Sequence, residues 1–157
     1  MENLEADLSP DEYQALAEFR YQIRRFLRLS EEAAAKAGVE PRQYQFLLAL
    51  KGLIQQKRVT IRDLAERMQL RHHSVVGLIN RLVEGKLIER RRGDHDRRQV
   101  YIHLTSRGDE LLRRLALYHQ GELQASGPAL VTALQALMAN GISIPEEKSL
   151  GTASHAD

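Results

Sequence analysis

The residues best able to do chemistry lie between positions 71 and 98, and their chemistry is hydrogen bonding and charge. Arg71, His72, His73, Ser74, Asn80 and Arg81 place donors and acceptors along one short segment. Arg90, Arg91, Arg92, Arg97 and Arg98 form a second cluster, interrupted by Asp94 and Asp96. An asparagine amide pairs in bidentate fashion with adenine, and Ser or His donates to bases or phosphates. Arginines crowded beside one turn repel one another and add little stability, since exposed ion pairs are worth about 0–1 kcal/mol. Against the narrow groove of a duplex the same arginines meet concentrated negative potential.

Catalysis has no comparable set of residues. Cys is absent, which removes thiol nucleophiles, disulfides and cysteine metal sites. The chain has no Gly-rich phosphate loop, no H-E-x-x-H and no G-x-S-x-G. Paired carboxylates such as Glu31-Glu32 are neighbours and point apart on a helix. His72 and His73 likewise project about 100° apart rather than converging, and His95 and His103 fall on a different element. We therefore expect no catalytic residue, no metal ligand and no cofactor.

Elements must hold these side chains in place. Val75, Leu78, Ile79 and Leu82 recur at i, i+3, i+4, i+7 and predict a helix. Its opposite face carries His73, Gly77 and Asn80, flanked by Ser74, Val76 and Arg81. Gly77 costs about 1 kcal/mol in a helix interior relative to Ala, and it suits close approach to a groove wall. The competing reading is an ordinary solvated face. Arg71-His72-His73 stand at the helix start, where the backbone's partial positive charge disfavours cations. Contact with an anion there accounts for the choice.

Before this helix, Thr60 and Asp63 form a capping box for a shorter one, with Leu64, Ala65 and Met68 inward. The break at 69–71 makes the pair a helix-turn-helix. Another helix opens at Glu40-Pro41, with Tyr44, Leu47 and Leu48 as its buried side, and ends near Gly52. After it, residues 87–92 can be a strand, 93–96 a turn, and Val100, Ile102 and Leu104 alternate with polar neighbours. A charge-protected edge hairpin is the plain alternative for this unit. A helix-turn-helix followed by a basic hairpin is a winged helix.

The flanks are helical. Ser9, Pro10 and Glu12 signal a helix start, Leu16, Phe19, Ile23, Phe26 and Leu27 form a stripe, and Gly38 is the stop. A helix of about 28 residues is more than twice the usual mean. So long a stripe needs a second chain, or the C-terminal helices of its own. Thr105 and Ser106 begin the next helix, packed through Leu111, Leu112, Leu115 and Tyr118, and Gly127-Pro128 is expected to break it. A last helix over 128–139 uses Leu130, Leu134, Leu137 and Met138, and Asn140-Gly141 ends it. Residues 143–157 have almost no apolar side chains and read as a disordered tail.

The fold class is thus mainly α with a small β-hairpin wing, in a single domain over 1–157. Residues 10–38 and 106–140 are the terminal helices, and 41–105 the winged helix-turn-helix lobe. Charge follows the same division. The chain of 157 residues has net charge +2, but residues 51–114 hold 16 Lys/Arg against 8 Asp/Glu. Residues 1–50 and 115–157 are each net −3. A basic block between acidic flanks suits a polyanion. No apolar run approaches the roughly 20 residues that cross a bilayer, and the start, MENLEADLSP, is acidic rather than signal-like. We expect a cytoplasmic protein with no membrane partner.

Three runs carry a family resemblance. Asp96-Arg97-Arg98, followed by six residues and Thr105, resembles the D-x-R wing signature of the multiple-antibiotic-resistance regulator (MarR) family. The run from Asn80 to Arg90 is similar to that family's recognition-helix end and first wing strand, and Leu104-Thr105-x-x-Gly108 to the start of its next helix. The resemblance implies a sequence-specific DNA-binding transcriptional regulator. Such a protein is a homodimer joined by its terminal helices, acting as a repressor on a pseudo-palindromic double-stranded operator.

In that arrangement the fourth helix enters the major groove through Arg71, His72, His73, Ser74, Val76, Gly77, Asn80 and Arg81. The wing, through Arg91, Arg92, Asp96, Arg97 and Arg98, lies beside the minor groove. Asp96 braces the wing by pairing with a nearby arginine, and Arg98 or Arg97 enters the groove. Many members are released by small aromatic or phenolic effectors bound between the dimer helices and the DNA-binding lobe. Tyr21, Arg25, Tyr44 and His119 would border that cleft, with ordinary packing or surface as the alternative for each. Without cysteine, the family's peroxide-sensing branch does not apply. The helix start Arg-His-His-Ser departs from the commoner small polar residues and leaves the operator sequence unassigned. The other class of function is a winged-helix protein-interaction module. It would need apolar residues on the outward helix face, where only Val76 stands.

Overall fold

The computed structural model describes residues 8–139. Five helices and one hairpin follow in the order α1 (Pro10–Lys36), α2 (Pro41–Ile54), α3 (Ile61–Met68), α4 (His72–Glu84), β1 (Ile88–Arg92), β2 (Val100–Leu104) and α5 (Ser106–Ala139). The expected tail at 143–157 and the stop at Asn140-Gly141 lie outside the described residues.

Local chemistry sets most boundaries. Ser9 and Glu12 form the capping box of α1: the Ser9 N–H donates to the Glu12 carboxylate at 2.7 Å and the Glu12 N–H to Ser9 Oγ at 3.3 Å. Beyond α1, Gly38 takes φ +75°, a left-handed conformation that glycine adopts without steric cost. Thr60 and Asp63 cap α3 in the same reciprocal way. Lys57 Nζ joins them at 2.5 Å from Asp63 Oδ1. That contact, then the Thr60 N–H, hold the Asp63 carboxyl down at about 2.

The core sits inside the winged-helix lobe. Phe46, Leu47, Leu50, Val59, Leu64, Val75, Ile79, Leu82, Ile88 and Ile102 are fully buried. Each contributes about 1.5–3 kcal/mol of burial free energy. β1 and β2 pair antiparallel with Ile88 opposite Leu104, Arg90 opposite Ile102 and Arg92 opposite Val100. The segment before α3 joins their edge: the Ile102 N–H donates to the Val59 carbonyl at 2.9 Å.

The terminal helices α1 and α5 pack on each other, and the expected break at Gly127-Pro128 does not occur. α5 runs unbroken from Ser106 to Ala139 with Pro128 inside it. A proline there removes the bond to the Gln124 carbonyl, but both residues are exposed and water can solvate that oxygen. Gly127 also lacks the Cβ that would clash with the proline ring. Burial of Leu115 and His119 on one side, and of Ala133 and Leu137 on the other, holds the helix against α1 across the proline.

Several expected inward residues are displaced by one position. On α2, Leu48 is half exposed while Phe46 and Leu50 are buried with Tyr44 and Leu47, because the buried arc runs through 44, 46, 47 and 50. On α5, His119 is buried in place of Tyr118, and Ala133 in place of Leu134. Met138 is exposed too. Along α1, Leu16, Phe19, Ile23 and Phe26 are only half buried, and Leu27 is exposed. The single chain therefore leaves much of this stripe uncovered.

Candidate nucleic-acid interface

α4 buries Val75, Leu78, Ile79 and Leu82, as its spacing predicts. The opposite side leaves Arg71, His72, His73, Gly77, Asn80 and Arg81 exposed, with Ser74 and Val76 at its half-buried margin. The helix begins at Arg71 with no side-chain cap and no acidic residue in its first turn. Its leading N–H groups therefore have only water or a bound anion to satisfy them. Gly77 has open space: a β-carbon built there meets nothing within 4 Å. Gly108 is the opposite case, where a β-carbon would lie 2.0 Å from the Leu87 carbonyl oxygen. The chain's own packing thus explains Gly108 and leaves Gly77 unexplained.

Two of the polar residues on α4 are tethered. Arg81 Nη1 lies 3.3 Å from Glu40 Oε2, between exposed partners. Arg90 of β1 donates from Nη2 to Asn80 Oδ1. α4 and β1 are thereby joined across their exposed edge.

The wing loop spans 93–99 and closes on a Gly93 N–H to Gln99 carbonyl bond of 2.9 Å. Asp96 does brace this loop, but not through a guanidinium. Its Oδ1 accepts the Arg98 backbone N–H at 2.9 Å, and its carbonyl accepts the Gln99 N–H at 3.1 Å. A short local loop brings a backbone donor closer than any arginine head. Arg91 folds back onto Glu89, Nε to Oε1 at 2.8 Å. Among the described residues, Arg71, Arg92, Arg97 and Arg98 have no carboxylate within 4.0 Å. These four are exposed cations, one at the start of α4 and three at or beside the wing loop.

Arg58 belongs with them, although its sequence context, a short polar stretch, gives no sign of it. It sits beside the wing because Val59 pairs with Ile102. Its guanidinium is 5.6 Å from the Tyr101 ring centre and 3.7 Å from Asp94. His103 lies in the same field. Burial first, then the charge of Arg91, hold its pKa below the ordinary histidine value, against the opposing pull of Glu89.

The four residues expected at an effector cleft divide into two pairs. Tyr44 and His119 come together in the interior, Tyr44 Oη to His119 Nδ1 at 2.7 Å with ring centres 4.5 Å apart. His119 Nε2 faces the Ser30 carbonyl at 3.4 Å. One proton arrangement satisfies all three groups: the tyrosine O–H donates to Nδ1 and Nε2–H donates to the carbonyl. α1, α2 and α5 are pinned together at this point, and burial raises the Tyr44 pKa. Tyr21 and Arg25 lie elsewhere, on the outward side of α1 beside Arg24 and Arg28. Among the described residues, no group of three His, Asp or Glu converges as a metal site. None of the described helices is long and apolar enough to cross a membrane.

A family model described as "MarR family" matches residues 37–99, from the end of α1 through the wing loop. Over this segment, which is less than half of the chain, the sequence is similar to the MarR family. The whole MarR-type arrangement recurs in solved structures. AbsC of Streptomyces coelicolor, a MarR family transcriptional regulator, superposes with TM-score 0.65 at 22% identity, over 76% of this chain and 80% of that one. MepR of Staphylococcus aureus, a transcription regulator of the multidrug efflux pump MepA, gives TM-score 0.66 at 20% identity, over 77% and 93%. A MepR mutant bound to an oligodeoxyribonucleotide gives TM-score 0.63 at 20% identity, over 85% and 98%. At these identities the structures share the MarR-type fold. No curated protein sequence matches the chain.

Proposed function

We propose that this MarR-type protein is a sequence-specific DNA-binding transcriptional regulator without catalytic activity, acting as a homodimeric repressor. The observation that carries this reading is the exposed polar face of α4, joined to the hairpin by the Arg90–Asn80 contact, together with the exposed Arg71, Arg92, Arg97 and Arg98, which have no carboxylate partner among the described residues. α4 has the size and polarity for a major groove, and its uncapped start suits a phosphate. Arg97 and Arg98, at the wing, suit the adjacent minor groove. A MepR mutant of the same fold is bound to an oligodeoxyribonucleotide, which supports DNA as the partner.

Dimerisation is supported by apolar surface. Tyr13, Leu117, Leu123, Val131, Leu134 and Met138 are exposed on α1 and α5, beyond what scattered surface residues need. The near-neutral total charge keeps the non-specific grip of one lobe modest, so two lobes on two half-sites supply useful affinity. Release by a small aromatic effector would act through the Tyr44–His119–Ser30 joint, which links the terminal helices to the lobe. Fluorescence anisotropy with duplexes from the DNA flanking its own gene tests the reading. Sequence-preferring, salt-sensitive binding supports it, and equal binding to every duplex refutes it. Melting the protein with a panel of aromatic acids tests the effector. A shift abolished by Tyr44→Phe is expected, and no shift with any acid contradicts this part.

A further inference from the structure

We propose that Arg90 sets the base preference of the recognition helix. By holding the Asn80 carbonyl, it leaves Asn80 to meet the major groove with amide N–H donors and to select guanine over adenine. The proposal rests on α4 entering the major groove. Side chains alternate along β1. Ile88 points into the core, and Arg90 lies two residues on, on the same face, at the edge where the core ends. Its guanidinium therefore runs toward α4, where it reaches Asn80. Glu89 and Arg91 occupy the other face and pair with each other.

The chemistry of this contact is one-directional. A guanidinium has donors only, so it must take the amide oxygen and thereby fixes which end of the amide is the carbonyl. Reading adenine requires that carbonyl to accept from N6 while the amide N–H donates to N7. Guanine offers acceptors alone, O6 and N7. An asparagine whose oxygen is occupied by a cation is matched to the second pattern.

Site selection from a random duplex pool tests this, using wild type, Asn80→Ala, Arg90→Met and Arg90→Lys. The position that loses information in Asn80→Ala identifies the base that residue reads. Wild type should hold guanine there. Arg90→Met should move toward adenine, with about a tenfold change in the relative affinity of the two duplexes, roughly the low end for one bidentate base contact. Arg90→Lys keeps a donor and should keep guanine. The remaining half-site should not change in any Arg90 variant. Adenine in the wild-type site, or an unchanged preference in Arg90→Met, overturns the proposal alone. A wild-type protein that enriches no sequence overturns the DNA-binding reading itself. Arg90 is exposed, so the variants should fold, and unaltered melting curves check that directly.

Discussion

Replacing Gly77 with alanine should make the protein more stable and a weaker DNA binder. The two effects have separate causes. A β-carbon at position 77 meets nothing within 4 Å, so the substitution brings no clash within the chain. Alanine in a helix interior is favoured over glycine by about 0.5–1 kcal/mol. For a chain of this size that raises Tm by roughly 2–4 °C per kcal/mol. The new methyl group projects from the face that carries His73 and Asn80. If that face lies against a groove wall, the helix must lift or tilt. Loss of one well-placed contact, about 1.4 kcal/mol, weakens binding tenfold. Gly52→Ala is the control, since it also meets open space but sits on α2, away from the surface. Thermal melts and anisotropy titrations on all three proteins read both quantities. Gly77→Ala that stabilises and still binds like wild type refutes the docking argument, and Gly77→Ala that destabilises refutes the geometry.

Three further outcomes follow from other contacts. Gly108→Ala forces its β-carbon to 2.0 Å from the Leu87 carbonyl oxygen, and backbone cannot yield cheaply; a loss of about 3 kcal/mol in denaturant unfolding is expected. Tyr44→Phe removes the donor to His119 Nδ1 from the interior and should cost about 1–2 kcal/mol, with unfolding midpoint as the readout. Asp63 titrates near 2 instead of its ordinary 3.8, so its contribution is complete above that ordinary value and disappears as pH falls through about 2. With Lys57 half exposed to water, the contribution is about 1 kcal/mol after screening. Asp63→Asn should abolish that part of the acid dependence, measured by urea unfolding between pH 2 and 5.

The winged-helix lobe was legible because its signals are local. The i, i+3, i+4, i+7 stripe of α4 and the alternation of Val100, Ile102 and Leu104 follow from geometry a few residues long. Capping pairs such as Ser9–Glu12 and Thr60–Asp63 are equally local. Pro128 does not end α5, because its cost in the helix is set by exposure and by packing of α5 on α1, neither of which a short window of sequence contains. Displaced burial on α2 and α5 has the same origin, since which arc turns inward is decided by the neighbouring element. At the site, the identities of the exposed cations were readable, but their partners were not. Arg58 reaches the wing only through the Val59–Ile102 pairing, and Arg90 meets Asn80 only because α4 and β1 are packed together. Of the four cleft residues, Tyr44 and His119 stand 75 positions apart in the chain and meet through the fold. Tyr21 and Arg25, on the same helix as Ser30, remain outside.

The most direct test of DNA recognition by α4 and the wing is the salt dependence of binding to a selected duplex and to a scrambled one. It should be measured by anisotropy from 50 to 200 mM salt for wild type and for Arg97→Ala/Arg98→Ala. A steep fall of log K with log salt is expected, with tighter binding of the selected duplex at every salt and a shallower slope in the double variant. Each phosphate contact removed lowers that slope by about one unit. Equal affinity for both duplexes, or a slope unaffected by loss of both arginines, would contradict it.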